Sequence, residues 1–404
     1  MNPIKKSTKL DYIGYDIRGP VADLAGQMER EGIKILKLNT GNPAPFGFDA
    51  PDAMIEKLIA DIRPSQAYSD SKGIFEARAA IAAYCAKKGM EGVTPEDVYT
   101  GNGVSELISM SVQALLNPGD EVLVPAPDYP LWTASITLCG GKAVYYTCDE
   151  SSDWNPDMDD MRRKITPRTR AIVVINPNNP TGALYPKEIL LQIADLARAH
   201  NLILFSDEIY DRLVMDGHVH HAMAAIAPDV LTITFNGLSK SHLVAGFRAG
   251  WISLSGYKEG AKDYVEGLNM LASMRLCSNV LAQSVIAPAL ADSESAFALT
   301  RPGGRILEQR DYITREISQI PGLSVVKPKA AFYLFPKIDV QRFRIHDDER
   351  FVVDFLREKQ ILLTHGGGFH WPQPDHFRIV YLPEVQVLKQ LAESMADFLA
   401  GYRQ

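Results

Sequence analysis

Short apolar runs alternate with longer amphipathic stretches between about Val98 and Leu254. Val98-Tyr99-Thr100, Glu121-Val122-Leu123-Val124, Ala143-Val144-Tyr145-Tyr146, Ala171-Ile172-Val173-Val174-Ile175, Leu202-Ile203-Leu204-Phe205 and Leu231 to Phe235 read as strands. Between them, Ser105 to Leu116 and Lys187 to His200 repeat apolar residues at intervals of three and four, the period of a helix with one buried face. This alternation predicts a largely parallel sheet with helices on both faces. Open sheets of that kind bind ligands beyond the carboxyl ends of their strands.

The two chain ends carry a different pattern. Ser324-Val325-Val326 and Phe332-Tyr333-Leu334-Phe335 predict hairpin strands, and Phe351 to Lys359 and Val385 to Gly401 predict helices. The sequence therefore predicts an α/β protein. Residues 48–300 would form the large domain, and residues 1–47 and 301–404 a smaller α+β domain built from both ends.

Composition narrows the function classes. At 404 residues, with 46% hydrophobic and 23% charged residues, the chain suits a globular fold with a large core. A net charge of -7 and the lack of a lysine/arginine block argue against a nucleic-acid surface. No apolar run approaches the ~20 residues of a membrane span, and Met1 to Tyr12 is not followed by the apolar core of a signal peptide. Cys85, Cys139, Cys148 and Cys277 lack paired or metal-type spacing and read as reduced cytoplasmic thiols. His218, His220 and His221 read as a solvated polar loop rather than a metal site.

The richest segment follows the strand Leu231 to Phe235. In Gly237-Leu238-Ser239-Lys240, a lysine at the floor of a cleft is partly desolvated, its pKa falls from about 10.4, and it becomes a nucleophile or Schiff-base partner. Eight residues on, Arg248 stands between Gly246 and Gly250, where bare backbone can approach a bulky anion. Gly101-Asn102-Gly103-Val104-Ser105-Glu106 joins a strand to a helix whose first N–H groups can hold a phosphate. Tyr129, fixed between Pro127 and Pro130, is placed to stack on a heterocycle or to fill the core. Asn179 in the turn Asn176 to Gly182 can aim an amide into the cleft. Asp207 ends a strand, where it either caps the next helix or faces a ring nitrogen, and Tyr210 follows three residues later. Arg378 in Asp375 to Val380 offers a two-pronged grip on a carboxylate, and Gly41-Asn42-Pro43 a small-residue wall.

In this order the segments resemble class I pyridoxal-phosphate aminotransferases of fold type I over nearly the whole chain. Tyr15-Asp16-Ile17-Arg18-Gly19-Pro20, Gly41 to Phe48, Pro127 to Trp132 and Trp371 to Val380 are most similar to bacterial glutamate–pyruvate (alanine) aminotransferases. The resemblance implies pyridoxal 5'-phosphate as cofactor, attached to Lys240, with Asp207 on the pyridine nitrogen, Asn179 and Tyr210 on the ring oxygen and Tyr129 on the ring face. It implies Val104, Ser105, Ser239 and Arg248 as phosphate ligands. Arg378, with Asn179 and Gly41, would take the substrate α-carboxylate, and Tyr15 and Arg18 the glutamate side chain. It further implies a two-fold dimer in which Tyr68 reaches the neighbouring active site, small amino acids and 2-oxo acids as partners, and no metal. Gly237 departs from the family in lacking a phosphate-binding hydroxyl. Ser241-His242-Leu243 and Thr364 to Gly368 depart in wording, which leaves other amino donors open, as well as a lyase of the same fold.

Overall fold

The structure, a computed structural model, describes residues 3–14, 19–292 and 294–404. An eight-stranded sheet organises the middle of the chain. Across it run Val98–Asn102, Ala249–Ser255, Thr232–Gly237, Ile203–Asp207, Thr169–Ile175, Glu121–Ala126, Lys142–Asp149 and Asn155–Pro156. The strands from Thr232–Gly237 through Lys142–Asp149 pair in parallel, and the remaining contacts are antiparallel.

The parallel strands are apolar because helices cover both faces and leave no wet side. Val122, Leu123, Val124, Ile172, Val173, Val174, Leu204, Phe205, Ile233 and Phe235 are all fully buried. The helices Val104–Leu115 and Lys187–His200 supply two of the covering faces through Leu107, Ile108 and Val112 and through Leu190, Ile193 and Ala197. Trp132 stacks on Phe205 at 5.7 Å and meets Phe235 edge-on at 5.0 Å, a rigid aromatic block behind the strand ends.

The chain ends meet. Leu36–Lys37 pairs in parallel with Ile361–Leu362, and the Val380 N–H donates to the Leu38 carbonyl at 3.1 Å. Helices Arg305–Ser318, Asp348–Lys359 and Val385–Gly401 pack over these short strands around Ile313, Phe351, Phe355, Leu391 and Phe398.

Three details differ from the sequence pattern. Ala249–Ser255 is a strand inserted antiparallel between Val98–Asn102 and Thr232–Gly237; its alternating serines hid it. The late extended segments do not form the expected hairpin. Tyr333–Leu334 pairs with Phe377–Val380, while Leu323–Ser324 pairs with Lys337–Ile338. His220 is not solvated: its side chain is buried, its Nε2 lies 3.1 Å from the Asn176 carbonyl and 3.8 Å from the Glu208 carboxylate. The four cysteines are free, two of them buried. Among the described residues, no helix is long and apolar enough to cross a membrane.

Candidate active site

The strand Thr232–Gly237 ends at a short helix, Leu238–Ser241, that holds Lys240 at the carboxyl edge of the sheet. Its Nζ donates to the Gly41 carbonyl at 2.7 Å and lies 5.7 Å from the centre of the Phe332 ring. Burial pushes the ammonium pKa down to about 7, with Arg378 and Arg248 adding positive charge nearby and Asp207 opposing them. This downward shift favours the neutral amine, the state a nucleophilic amine requires.

Asp207 ends the adjacent strand, Ile203–Asp207, and is buried. Its Oδ2 accepts from Trp132 Nε1 at 3.3 Å, and its Oδ1 from the Ile209 N–H at 3.4 Å. Burial raises its pKa to about 6, while these two donors and Lys240 oppose the rise. In the unfolded chain the same carboxyl would titrate near 3.9. The native carboxylate is thus destabilising above pH 6, and that cost disappears as pH falls through the unfolded value. Asp207→Asn is accordingly expected to stabilise the cofactor-free protein by up to about 3 kcal/mol at pH 7 and by little near pH 4. Urea unfolding at the two pH values measures it; equal gains at both would assign the effect to packing.

Arg378 projects from Phe377–Val380 and is almost fully buried. Its Nη1 donates to Asn179 Oδ1 at 2.8 Å and its Nη2 to the Asn39 carbonyl, and the guanidinium lies 4.5 Å from the centres of both the Tyr333 and Phe369 rings. Because Arg378 occupies the Asn179 oxygen, the amide's remaining hydrogen-bonding end is its NH₂ donor. Tyr210 is buried, and its hydroxyl lies 2.6 Å from the Tyr333 hydroxyl.

The anion cradle forms where Gly103, at φ 82°, begins the helix Val104–Leu115. A Cβ on Gly103 would lie 2.1 Å from Arg248 Nη2, and one on Gly250 would lie 2.7 Å from the Val104 nitrogen. Backbone, helix N-terminus and guanidinium therefore converge only because these positions have no side chain. Arg248 is exposed and is braced by the Ala245 carbonyl at 2.9 Å and the Asn102 carbonyl at 3.2 Å. Glu106 accepts from the Asn102 N–H at 2.8 Å and from Arg275, which fixes the turn. Gly237 has its own reason to lack a side chain: a Cβ there would lie 2.7 Å from the Ala249 carbonyl oxygen of the inserted strand.

These residues fit an aldehyde-phosphate cofactor: a convergent cradle for its phosphate, a buried carboxyl for its ring nitrogen and a desolvated amine for its carbonyl. Val104 and Ser105 open the helix at the cradle, Ser239 is buried in the short helix that carries Lys240, and Tyr129 lies partly buried between two core clusters. Gly41 presents its carbonyl to Lys240, and a Cβ there would lie 2.3 Å from the Tyr333 hydroxyl. Tyr68 is 80% exposed and stands apart from the other candidates in this single chain. Tyr15 and Arg18 lie outside the described residues. Sequence reading missed Asn39, Trp132, Phe332, Tyr333 and Phe369. Each is an ordinary core or strand residue in its own segment, and only the fold brings it to the site.

Comparison with known proteins gives the same direction. A family described as "Aminotransferase class I and II" matches residues 33–395. Glutamate-pyruvate aminotransferase AlaA of Escherichia coli (strain K12) is 59% identical over 404 residues, covering 100% of both chains. Alanine aminotransferase of Mycobacterium bovis is 53% identical over 400 residues, covering 99% of this chain and 93% of its own. The crystal structure of an aminotransferase from Escherichia coli superposes with a TM-score of 0.98 at 58% identity, covering 100% of each chain. With a family match across most of its length and relatives above half identity, the chain belongs to the class I and II aminotransferases.

Proposed function

We propose that this aminotransferase uses pyridoxal 5'-phosphate to exchange amino groups between L-alanine and 2-oxoglutarate, giving pyruvate and L-glutamate. The observation that carries the reading is the convergence of a desolvated Lys240 with the buried Asp207 and the buried Arg378, whose charges all act on its amine. Relatives sharing more than half of its residues are named for glutamate, pyruvate and alanine. When bound, the cofactor takes up the amino group and draws electron density from the substrate Cα.

The chain's own residues supply the rest. Lys240 Nζ would anchor the cofactor, and as a free amine it would carry the Cα proton. Asp207, as a carboxylate, holds a proton on the pyridine nitrogen, and its burial keeps that ion pair out of water. The Asn179 amide and the Tyr210 hydroxyl hold the ring oxygen, and Tyr129 covers one ring face. Val104, Ser105, Ser239 and Arg248 hold the phosphate. Arg378 grips the substrate α-carboxylate with Asn179 and Gly41 beside it, so that the Cα–H bond points at Lys240. Tyr15 and Arg18 are the proposed contacts for the glutamate side chain.

The proposal includes a homodimer with Tyr68 completing the neighbouring phosphate site. Large apolar side chains stand in water along one stretch, Ile55, Ile59, Ile62, Tyr68 and Phe75 at 39%, 67%, 56%, 80% and 65% exposure, as expected of a surface covered by a second copy. It also includes residence in the cytoplasm, consistent with four free cysteines. The division into a large domain of residues 48–300 and a small domain of residues 1–47 and 301–404 is part of the same proposal.

Incubation of the purified protein with glutamate and pyruvate is expected to give equal amounts of 2-oxoglutarate and alanine, with parallel-line kinetics. Ammonia release without amino exchange would mark a lyase instead. Exchange with aspartate or aromatic donors at much higher kcat/KM would move the substrate assignment.

A further inference from the structure

A cavity of about 670 Å³, whose lining includes neither Lys240 nor Arg378, is bordered by Tyr84, Arg212, Val214, Leu290, Phe297 and Leu307. Arg212 is 6% exposed. Its Nη1 donates to the Asp292 carbonyl at 2.7 Å, its Nε lies 3.4 Å from the Tyr84 hydroxyl, and its guanidinium sits 4.9 Å from the centre of the Tyr84 ring. Its Nη2 has no hydrogen-bond partner among the described residues, and none of their carboxylates lies within 4.0 Å of the guanidinium.

The nearby acids are largely committed to other cations. Asp211 Oδ2 accepts from Tyr84 at 2.5 Å, Lys88 at 2.7 Å and Asn236 at 2.9 Å, while Asp211 Oδ1 is buried without a hydrogen-bond partner among the described residues. Glu208 accepts from Lys88 at 2.6 Å. Asp216 pairs with Arg310 at 2.7 Å. The cavity therefore shows a guanidinium edge beside walls of aliphatic and aromatic carbon, with Asp211 and Asp216, each already paired with a cation, and Lys87 also on its lining. Buried charges are ordinarily paired, and a guanidinium edge matches a carboxylate.

We propose that this cavity is a second ligand site, separate from the transamination cleft, for a small monocarboxylate with an apolar body. Arg212 takes the carboxylate, and Val214, Leu290, Phe297 and Leu307 enclose the carbon chain. The volume lies in the range of small-molecule sites. Occupancy adjoins the catalytic lysine: Arg212 Nη1 lies 3.5 Å from His242 Nε2, and His242 Nδ1 lies 2.9 Å from the hydroxyl of Ser241, the residue after Lys240. Because His242 Nε2 must donate to the Ala289 carbonyl at 2.7 Å, the arginine faces a donor there and gains nothing from it.

Crystals of the holoenzyme soaked with 5-bromopentanoate test the site on the unaltered chain. A bromine anomalous peak among Val214, Leu290 and Phe297, with carboxylate density on Arg212, is expected. Bromine confined to the Arg378 cleft would overturn the proposal. In solution, calorimetry with 4-methylpentanoate is done on the Arg378→Leu holoprotein, which lacks the cleft's own carboxylate grip. Binding is expected to persist there and to weaken at least about tenfold when Arg212→Met is added, the worth of one charge-assisted bond. Loss of binding in Arg378→Leu alone, or equal affinity with and without Arg212, would refute it.

Discussion

Lys240→Ala is expected to abolish amino exchange, with kcat at least about 10⁴-fold down, because in the proposed mechanism one side chain is both the cofactor's anchor and the proton carrier. The chain contains a built-in contrast. Lys88 is also held inside the fold, yet its Nζ contacts Glu208 at 2.6 Å and Asp211 at 2.7 Å, and those carboxylates outweigh its burial and raise its pKa well above the ordinary value. Lys240 has burial, Arg378 and Arg248 against it and only Asp207 in its favour, so its pKa falls to about 7. The surroundings of one lysine favour the cation and those of the other favour the amine. The visible absorbance of lysine-bound cofactor should vanish in Lys240→Ala, and added methylamine should restore a fraction of the proton transfer. Retention of the band would name another lysine as anchor.

The segments that carry chemistry were legible because each sits where a local pattern changes. Lys240 follows the apolar run Leu231 to Phe235, and Asp207 follows Leu202 to Phe205. A buried strand is constrained to continuous apolar sequence, so the first polar residue past its end stands out. The helices Lys187–His200 and Val385–Gly401 were equally plain, since one buried face imposes a period on the chain.

What stayed hidden depends on partners far away in sequence. Ala249–Ser255 is buried along its length, yet Ser253 and Ser255 interrupt the apolar run. Ser253 lies 3.5 Å from the Cys85 sulfur and Ser255 donates to the Thr232 carbonyl at 3.4 Å, so the fold satisfies them where the sequence suggests exposure. Phe332 and Tyr333 read as extended residues, and they are extended. Their role by the lysine and arginine comes from pairing with Phe377–Val380, which no local spacing announces. Trp132 looked like part of a Tyr129 stacking segment, but its indole N–H instead braces Asp207 from 75 residues away. Positions of chemical groups were readable; the shell that orients them was not.

Arg378→Leu is expected to lower kcat/KM for alanine and glutamate alike by about 30- to 5,000-fold, the 2–5 kcal/mol lost when one partner of a buried charge pair is removed. The equal loss follows from geometry. Arg378 is fixed against the Tyr333 and Phe369 rings and tied to Asn179 and Asn39, and in the proposed mechanism this fixed fork meets the α-carboxylate that every amino-acid substrate shares. Leucine fills the space between those rings with apolar surface, so the fold should survive and the loss should fall on the substrate. Arg378→Lys should recover little, because an ammonium keeps the charge but gives up the fork that binds Asn179 and substrate together. Steady-state constants for both donors, with cofactor absorbance as a check on site integrity, decide the matter. A deficit confined to glutamate would reassign Arg378 to the side-chain carboxylate and leave the shared carboxylate to another cation.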